Sequence, residues 1–173
     1  MNYFTDIDRL KDELKKKNVK VALTTGCFDV LHKAHLDYLK DAKSRGAVLV
    51  VLLQSDELTN QRKGTKDITR PVYFVEERAR QLLSSEGYEG VIDYILIVDS
   101  VEDIYNSIKE IHPDVLVLSE ATESDETDPK RLREYFRNEM KVDILAPKTA
   151  VHSRDIIRER ERGDNPFVSG KLR

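Results

Sequence analysis

Two histidines three residues apart, His32 and His35, stand just after a glycine-containing turn, Thr25-Gly26-Cys27-Phe28. The turn follows an apolar run that reads as a buried strand, Val19-Lys20-Val21-Ala22-Leu23. It leads into an amphipathic helical run, Leu36 to Arg45. Such a strand, turn and helix start together make a natural place to hold phosphate. A helix start offers unpaired N–H groups and partial positive charge, and Gly26 lets a ligand approach the backbone. At this spacing the two imidazoles face the same side. Each can donate to a phosphate oxygen, and more strongly when protonated. On their own, two histidines at a helix start are equally an ordinary surface pair. With Cys27 they are also residue types that ligate zinc, although Cys27 beside Phe28 reads more simply as a small packed residue.

The elements that must position these residues follow from hydrophobic period. Ile7, Leu10 and Leu14 predict a helix over Asp6 to Lys17, capped by Thr5 or Asp6, with Lys15-Lys16-Lys17 at its basic end. A strand from Val19 to Thr25 precedes the turn. Ala47 to Gln54 is almost wholly apolar, the mark of a central parallel strand buried on both faces. Ser55-Asp56 closes it, and Glu57 to Arg70 reads as a polar loop carrying Lys63, Gly64, Lys66 and Arg70. A helix is predicted over Phe74 to Glu86, a strand over Val91 to Val98 and a helix over Val101 to Ile111, stopped by Pro113. A strand over Asp114 to Leu118 leads to an acidic loop, Ser119 to Asp128. Pro129 suits the first turn of a helix running to about Met140. A strand over Val142 to Leu145 and a helix over Ser153 to Arg162 complete the pattern. The tail Asp164 to Arg173 shows no clear element.

Strands and helices alternate with connections too long for hairpins, which calls for right-handed crossovers. The expectation is a Rossmann-like, doubly wound α/β fold: a five-stranded parallel sheet with helices on both faces. A single domain over residues 1–173 is expected, with residues 1–18 as an N-terminal helical segment and 164–173 as a C-terminal tail. In such sheets ligands sit beyond the carboxyl ends of the strands, where the turn at Gly26 falls.

Composition narrows the function classes. The chain has 173 residues, 29 Lys plus Arg against 32 Asp plus Glu, and a net charge of -3. No basic excess exists to drive phosphate-backbone binding, so a general nucleic-acid coat is excluded and any anion site must be local. No apolar run approaches the roughly 20 residues of a membrane helix, and the N-terminus lacks a signal-peptide core. The single Cys27 cannot form an internal disulfide. A cytoplasmic enzyme-like domain is expected, with no membrane partner.

The segment from Thr25 to Gly46 resembles the signature of the HxGH nucleotidyltransferase superfamily, cytidylyltransferase-like branch. Gly26, Phe28, Asp29, Leu31, His32, His35, Leu39, Ala42, Lys43 and Gly46 stand in register with it, while Ala34 replaces the glycine between the histidines. Further resemblances are Ser55-Asp56, Lys63-Gly64, Arg70-Pro71-Val72, Glu77-Arg78 and Pro113-Asp114-Val115-Leu116-Val117. The second phosphate motif falls near Val151 to Ile156, where only Ser153 and the apolar ends match. The gly-rich segment after the fourth strand is replaced by Ser119-Glu120-Ala121-Thr122. The resemblance implies transfer of a nucleoside monophosphate from a triphosphate to a small phosphorylated metabolite, with Mg²⁺ and a homodimeric state.

It also implies roles. His32, His35, Lys63 and Arg154 would be catalytic. Thr25, Gly26, Cys27, Phe28, Ala34, Ser119, His152 and Ser153 would bind the nucleotide, and Asp29, Asp56 and Arg70 the acceptor. Asp29 reads more simply as a structural residue that caps the turn or orients a histidine, while Lys43 can be a solvated helix face and Lys63, Arg70 and Arg154 can equally be plain surface charges. The chain is most similar to the adenylyltransferase domain of bacterial heptose-phosphate enzymes, which implies ATP and a sugar 1-phosphate. Thr25 stands where that branch usually has Asn. Glycerol-3-phosphate cytidylyltransferases and FAD synthetases share the motifs. A nucleotide-binding module that no longer catalyses is the alternative of another class.

Overall fold

The computed structural model describes residues 2–66, 69–120, 129–146 and 155–158. Six parallel strands form one sheet: β1 (Tyr3–Phe4), β2 (Val21–Gly26), β3 (Val48–Gln54), β4 (Tyr94–Val98), β5 (Val115–Ser119) and β6 (Lys141–Leu145). Their order across the sheet is β1-β4-β3-β2-β5-β6. The helices are α1 (Ile7–Lys17), α2 (Lys33–Lys43), α3 (Asp56–Lys63), α4 (Val75–Ser84), α5 (Val101–Ile111) and α6 (Pro129–Phe136). The parallel, doubly wound arrangement is as expected, with one strand more than predicted. Tyr3–Phe4 adds the extra strand by pairing with Ile95 and Leu96 of β4. Two residues carry no readable alternation, so only their partner reveals them.

All seven residues of β3 are buried, as its unbroken apolarity requires. Alternate side chains serve two cores. Leu49, Val51 and Leu53 meet Leu39 and Ala42 of α2 and Ala79 and Leu82 of α4 on one face. Val48, Val50 and Leu52 meet Leu10 and Leu14 of α1, Leu58 of α3, Ile104 and Ile108 of α5, and Leu132 and Phe136 of α6 on the other. A second difference concerns the predicted polar loop after β3. Its first part is α3, with Ser55 as N-cap accepting from the Leu58 N–H, and with Leu58 and Thr59 buried. Only one large apolar residue in eight faces the core, too few to show a helical period. Asp6 caps α1, its carboxylate accepting from the Asp8 N–H.

The site is positioned by the sheet order. β2 has β3 on one side and β5 on the other, because the chain winds outward through β3 and β4 and then returns to β5. That reversal opens a crevice at the carboxyl ends of β2 and β5, between Gly26 and Ser119.

Candidate active site

Gly26 ends β2, and the chain turns through Cys27 and Phe28 before α2. A Cβ on Gly26 would lie 2.7 Å from Cε2 of Phe28. The glycine thus makes room for the Phe28 ring. Phe28 takes φ of 44°, in the left-handed region that a non-glycine residue seldom adopts. Its side chain is buried, and its ring meets the His35 ring edge-on, centroids 5.5 Å apart. Glycine, phenylalanine and histidine therefore stack as a shelf on the end of the strand. What Phe28 can offer a ligand is backbone, since its ring is consumed by packing.

His32 is the N-cap residue of α2, and its side chain makes no capping bond. Its ring stacks on that of His35, with centroids 3.8 Å apart and planes at 21°. Burial pushes His35 down to about 3, helped by the neighbouring His32 and Arg70 and opposed by a backbone hydrogen bond to Val30. His35 is accordingly neutral in the free protein at neutral pH, where sequence reasoning allowed a charged ring. Two positive rings at this separation would repel by about 4 kcal/mol at an effective dielectric of 20. The Nδ1 atom of His35 is buried with no hydrogen-bond partner among the described residues, and so is Oγ1 of Thr25 at the end of β2. Buried polar atoms are normally paired, so these two can each take a further hydrogen bond.

Around this pair lies a bracket of charges. Asp29 is fully buried and accepts three hydrogen bonds: from Nε of Arg70 at 2.5 Å, from Val72 N–H at 2.7 Å and from Tyr73 N–H at 3.0 Å. This corrects the acceptor-binding role expected for Asp29, whose carboxylate ties the turn to the loop before α4. Arg70 is buried with it. Arg78 is also fully buried. It donates to the carbonyls of Cys27 (2.6 Å) and Tyr73 (2.9 Å) and to Asp56 (2.7 Å). Asp56, expected at the acceptor, is the counterion of Arg78 and part of the first turn of α3.

The remaining predicted residues scatter. Ala34 lies in the first turn of α2, and Lys63 ends α3 where a loop was expected. Ser119 ends β5 across the crevice. Lys43 is no solvated face: its Nζ bonds Asp93 and the Ala47 carbonyl, each at 2.5 Å. Arg154, His152 and Ser153 fall outside the described residues, as does the tail. Residues 155–158 are helical, and Ile157 packs against Val30 of the signature loop. Sequence reasoning missed Arg78 as a site residue. Its signal was position: it sits among Val75, Ala79 and Leu82 on the inward stripe of α4, where a lone arginine must have buried partners.

Among the described residues, no group of three or more His, Cys, Asp or Glu is placed to hold a metal ion, and no helix is long and apolar enough to cross a membrane.

The chain is similar to known proteins. A family model described as cytidylyltransferase-like matches residues 23–162. The bifunctional protein HldE of Aliarcobacter butzleri is 38% identical over 114 residues, which cover 66% of this chain and 22% of that protein. HldE of Helicobacter pylori strain J99 is 36% identical over 111 residues, with 64% and 22% covered. The chain thus spans about a fifth of the length of these relatives. The crystal structure of a lipopolysaccharide core biosynthesis protein from Thermoplasma volcanium has a TM-score of 0.58 at 24% identity, covering 78% of this chain and all of that one. A pantoate-beta-alanine ligase from Francisella tularensis has a TM-score of 0.56 at 15% identity, over 93% of this chain and 77% of its own. At such identities these two show the fold alone. With the histidine pair at the switch point and a family match over most of the chain, this protein belongs to the cytidylyltransferase-like family of nucleotidyltransferases.

Proposed function

We infer that the chain transfers adenylate from ATP to a sugar 1-phosphate and releases pyrophosphate. The observation that carries this reading is the stacked pair His32 and His35 at the open end of the sheet, with a buried Nδ1 of His35 that has no partner among the described residues. The resemblance to heptose-phosphate adenylyltransferase domains, and the HldE relatives, support the choice of donor and acceptor.

An acceptor phosphate oxygen attacks the α-phosphorus in line. One P–O bond forms, the bond to the bridging oxygen breaks, and the electron pair leaves with pyrophosphate. Such a step needs positioning and charge stabilisation more than a covalent nucleophile. His32 and His35 would donate to the α-phosphate and the bridging oxygen as charge develops there. A polyanion beside His35 raises its affinity for a proton and so favours the donating form of the ring. Backbone N–H groups of the turn at Cys27 and Phe28 would hold phosphate oxygens. Lys63 and Arg154 would add outer charge, and Ser119, His152 and Ser153 would face the nucleotide. Mg²⁺ would enter with the triphosphate and supply charge neutralisation at its phosphates. Asp29 and Asp56, the buried or half-buried carboxylates near the turn, are already engaged by Arg70 and Arg78. A homodimer in the cytoplasm belongs to the same reading.

Ala34 in the first turn of α2 favours a second reading, a nucleotide-binding module without turnover. Pyrophosphate release distinguishes the two. ATP and CTP are each combined with a sugar 1-phosphate, glycerol 3-phosphate and FMN. Release with ATP and the sugar phosphate is expected. Triphosphate binding by calorimetry without release from any pair would establish the module instead.

A further inference from the structure

The pairing of β2 is unequal on its two sides. With β3 it runs the full strand, from Val21 opposite Val48 to Gly26 opposite Leu53. With β5 it is confined to Ala22 opposite Val115 and Leu23 opposite Leu116. Beyond Leu23 the two strands part, and the crevice begins there. One side chain spans the widening gap. The Tyr38 hydroxyl donates to the Val117 carbonyl of β5 at 3.1 Å and lies 2.7 Å from Oγ1 of Thr24 on β2. A phenol has a single proton, and Val117 takes it, so Thr24 donates to Tyr38. Burial of the hydroxyl holds this phenol well above its usual range, so it stays protonated and able to donate. Thr24 itself is fully buried.

Tyr38 lies on α2 three residues after His35, on the same side of the helix. We propose that the Tyr38 hydroxyl is a positioning group that splints the parting ends of β2 and β5 and anchors the helical turn from which His35 reaches the crevice. One bond reaches a backbone carbonyl of β5 just past Leu116, the last residue paired with β2, and the other ties Thr24 of β2 to the same hydroxyl. Without the splint, Val117 and Thr24 are left unsatisfied inside the fold, and water or a shifted α2 must fill the gap. The His35 ring then loses its fixed seat against Phe28 and His32. The consequence for turnover rests on the adenylyl-transfer reading; the consequence for the His35 ring does not.

The test uses the full chain with Tyr38→Phe, Thr24→Val and Thr24→Ser, and with Ile108→Val, a core change on the far face, as a stability control. NMR of labelled histidine, assigned with His35→Gln, reports the protonated fraction of His35 at pH 5. The wild-type ring, facing His32 and Arg70, stays neutral there. Tyr38→Phe is expected to show a clearly protonated fraction, Thr24→Val a smaller one, and Thr24→Ser and Ile108→Val the wild-type signal. In the transfer assay kcat of Tyr38→Phe should fall about ten- to a hundredfold, with KM for ATP nearly unchanged, as for a misplaced reacting group. If Tyr38→Phe does not fold, Thr24→Val carries the same comparison. A wild-type His35 signal in both overturns the proposal. A shifted His35 signal alongside no turnover in the wild type itself upholds the splint and removes the adenylyl-transfer reading.

Discussion

Two groups of polar residues lie side by side at the mouth of the sheet, and they are built on opposite rules. In the bracket of Asp29, Arg70, Asp56 and Arg78, buried charge is matched by opposite charge and by backbone donors and acceptors. In the histidine pair, one ring is held neutral by burial and keeps a nitrogen with no partner among the described residues. The bracket fixes where the turn sits; the pair keeps one nitrogen of His35 available for a further hydrogen bond. On the adenylyl-transfer reading proposed above, saturation marks structure and under-satisfaction marks chemistry.

Breaking the bracket should cost the most. Removing one partner of a buried ion pair leaves a desolvated charge and costs about 3–5 kcal/mol. Asp29→Ala should therefore lower unfolding free energy by about that amount in urea melts, with the loop from Arg70 to Tyr73 becoming the earliest protease-sensitive point. Little loss would show that the bracket is not structural. His35→Ala should show the reverse pattern: a smaller loss of stability at neutral pH, from the packing of its ring on His32 and Phe28, and turnover lower by about 10²–10³-fold, the scale of losing one aligned donor to developing charge. Steady-state pyrophosphate release measures this, and full turnover would remove the role given to His35.

Gly26→Ala sits between the two regions. Its methyl would press on the Phe28 ring, and overpacking of this kind costs about 1–3 kcal/mol. Thermal melts should show the loss, and Gly26→Ala combined with Phe28→Leu should recover part of it. Acid sharpens the comparison further. His35 has its folded pKa lowered from 6.5 to about 3, so it binds a proton more readily when unfolded. Its contribution to stability is complete above about pH 6.5 and is lost as pH falls toward 3, by at most about 1.4 kcal/mol per pH unit. Urea melts across that window should give a shallower acid slope for His35→Gln than for the wild type. The smallest effect belongs to Ala34→Gly, which costs up to about 1 kcal/mol of helix propensity in the first turn of α2. It should lower KM for ATP by a few-fold, because losing the methyl gives the nucleotide room; an unchanged KM would show that Ala34 does not crowd it.

Much of this was legible in one dimension, for a physical reason. Period and length identify long elements, so β3 and α5 were placed within a residue of their observed limits. Tyr3–Phe4 and α3 escaped because two residues, or one large apolar residue in eight, carry no period. The histidine pair was legible because its spacing and its place after a strand both lie in the local chain. Its state was not, because burial and the nearness of Arg70 come from distant parts of the chain.

The sequence by itself determined the alternating elements, the parallel sheet they must form, and the meeting of glycine turn and histidines at one strand end. These depend on side-chain type and on separations of a few residues. Only the tertiary structure decided that Asp29 holds a loop rather than a substrate, that Arg78 is a buried tie, and that Tyr38 bridges two strands. Each of those depends on which distant backbone groups lack a partner, and that is known only when the chain has closed around them.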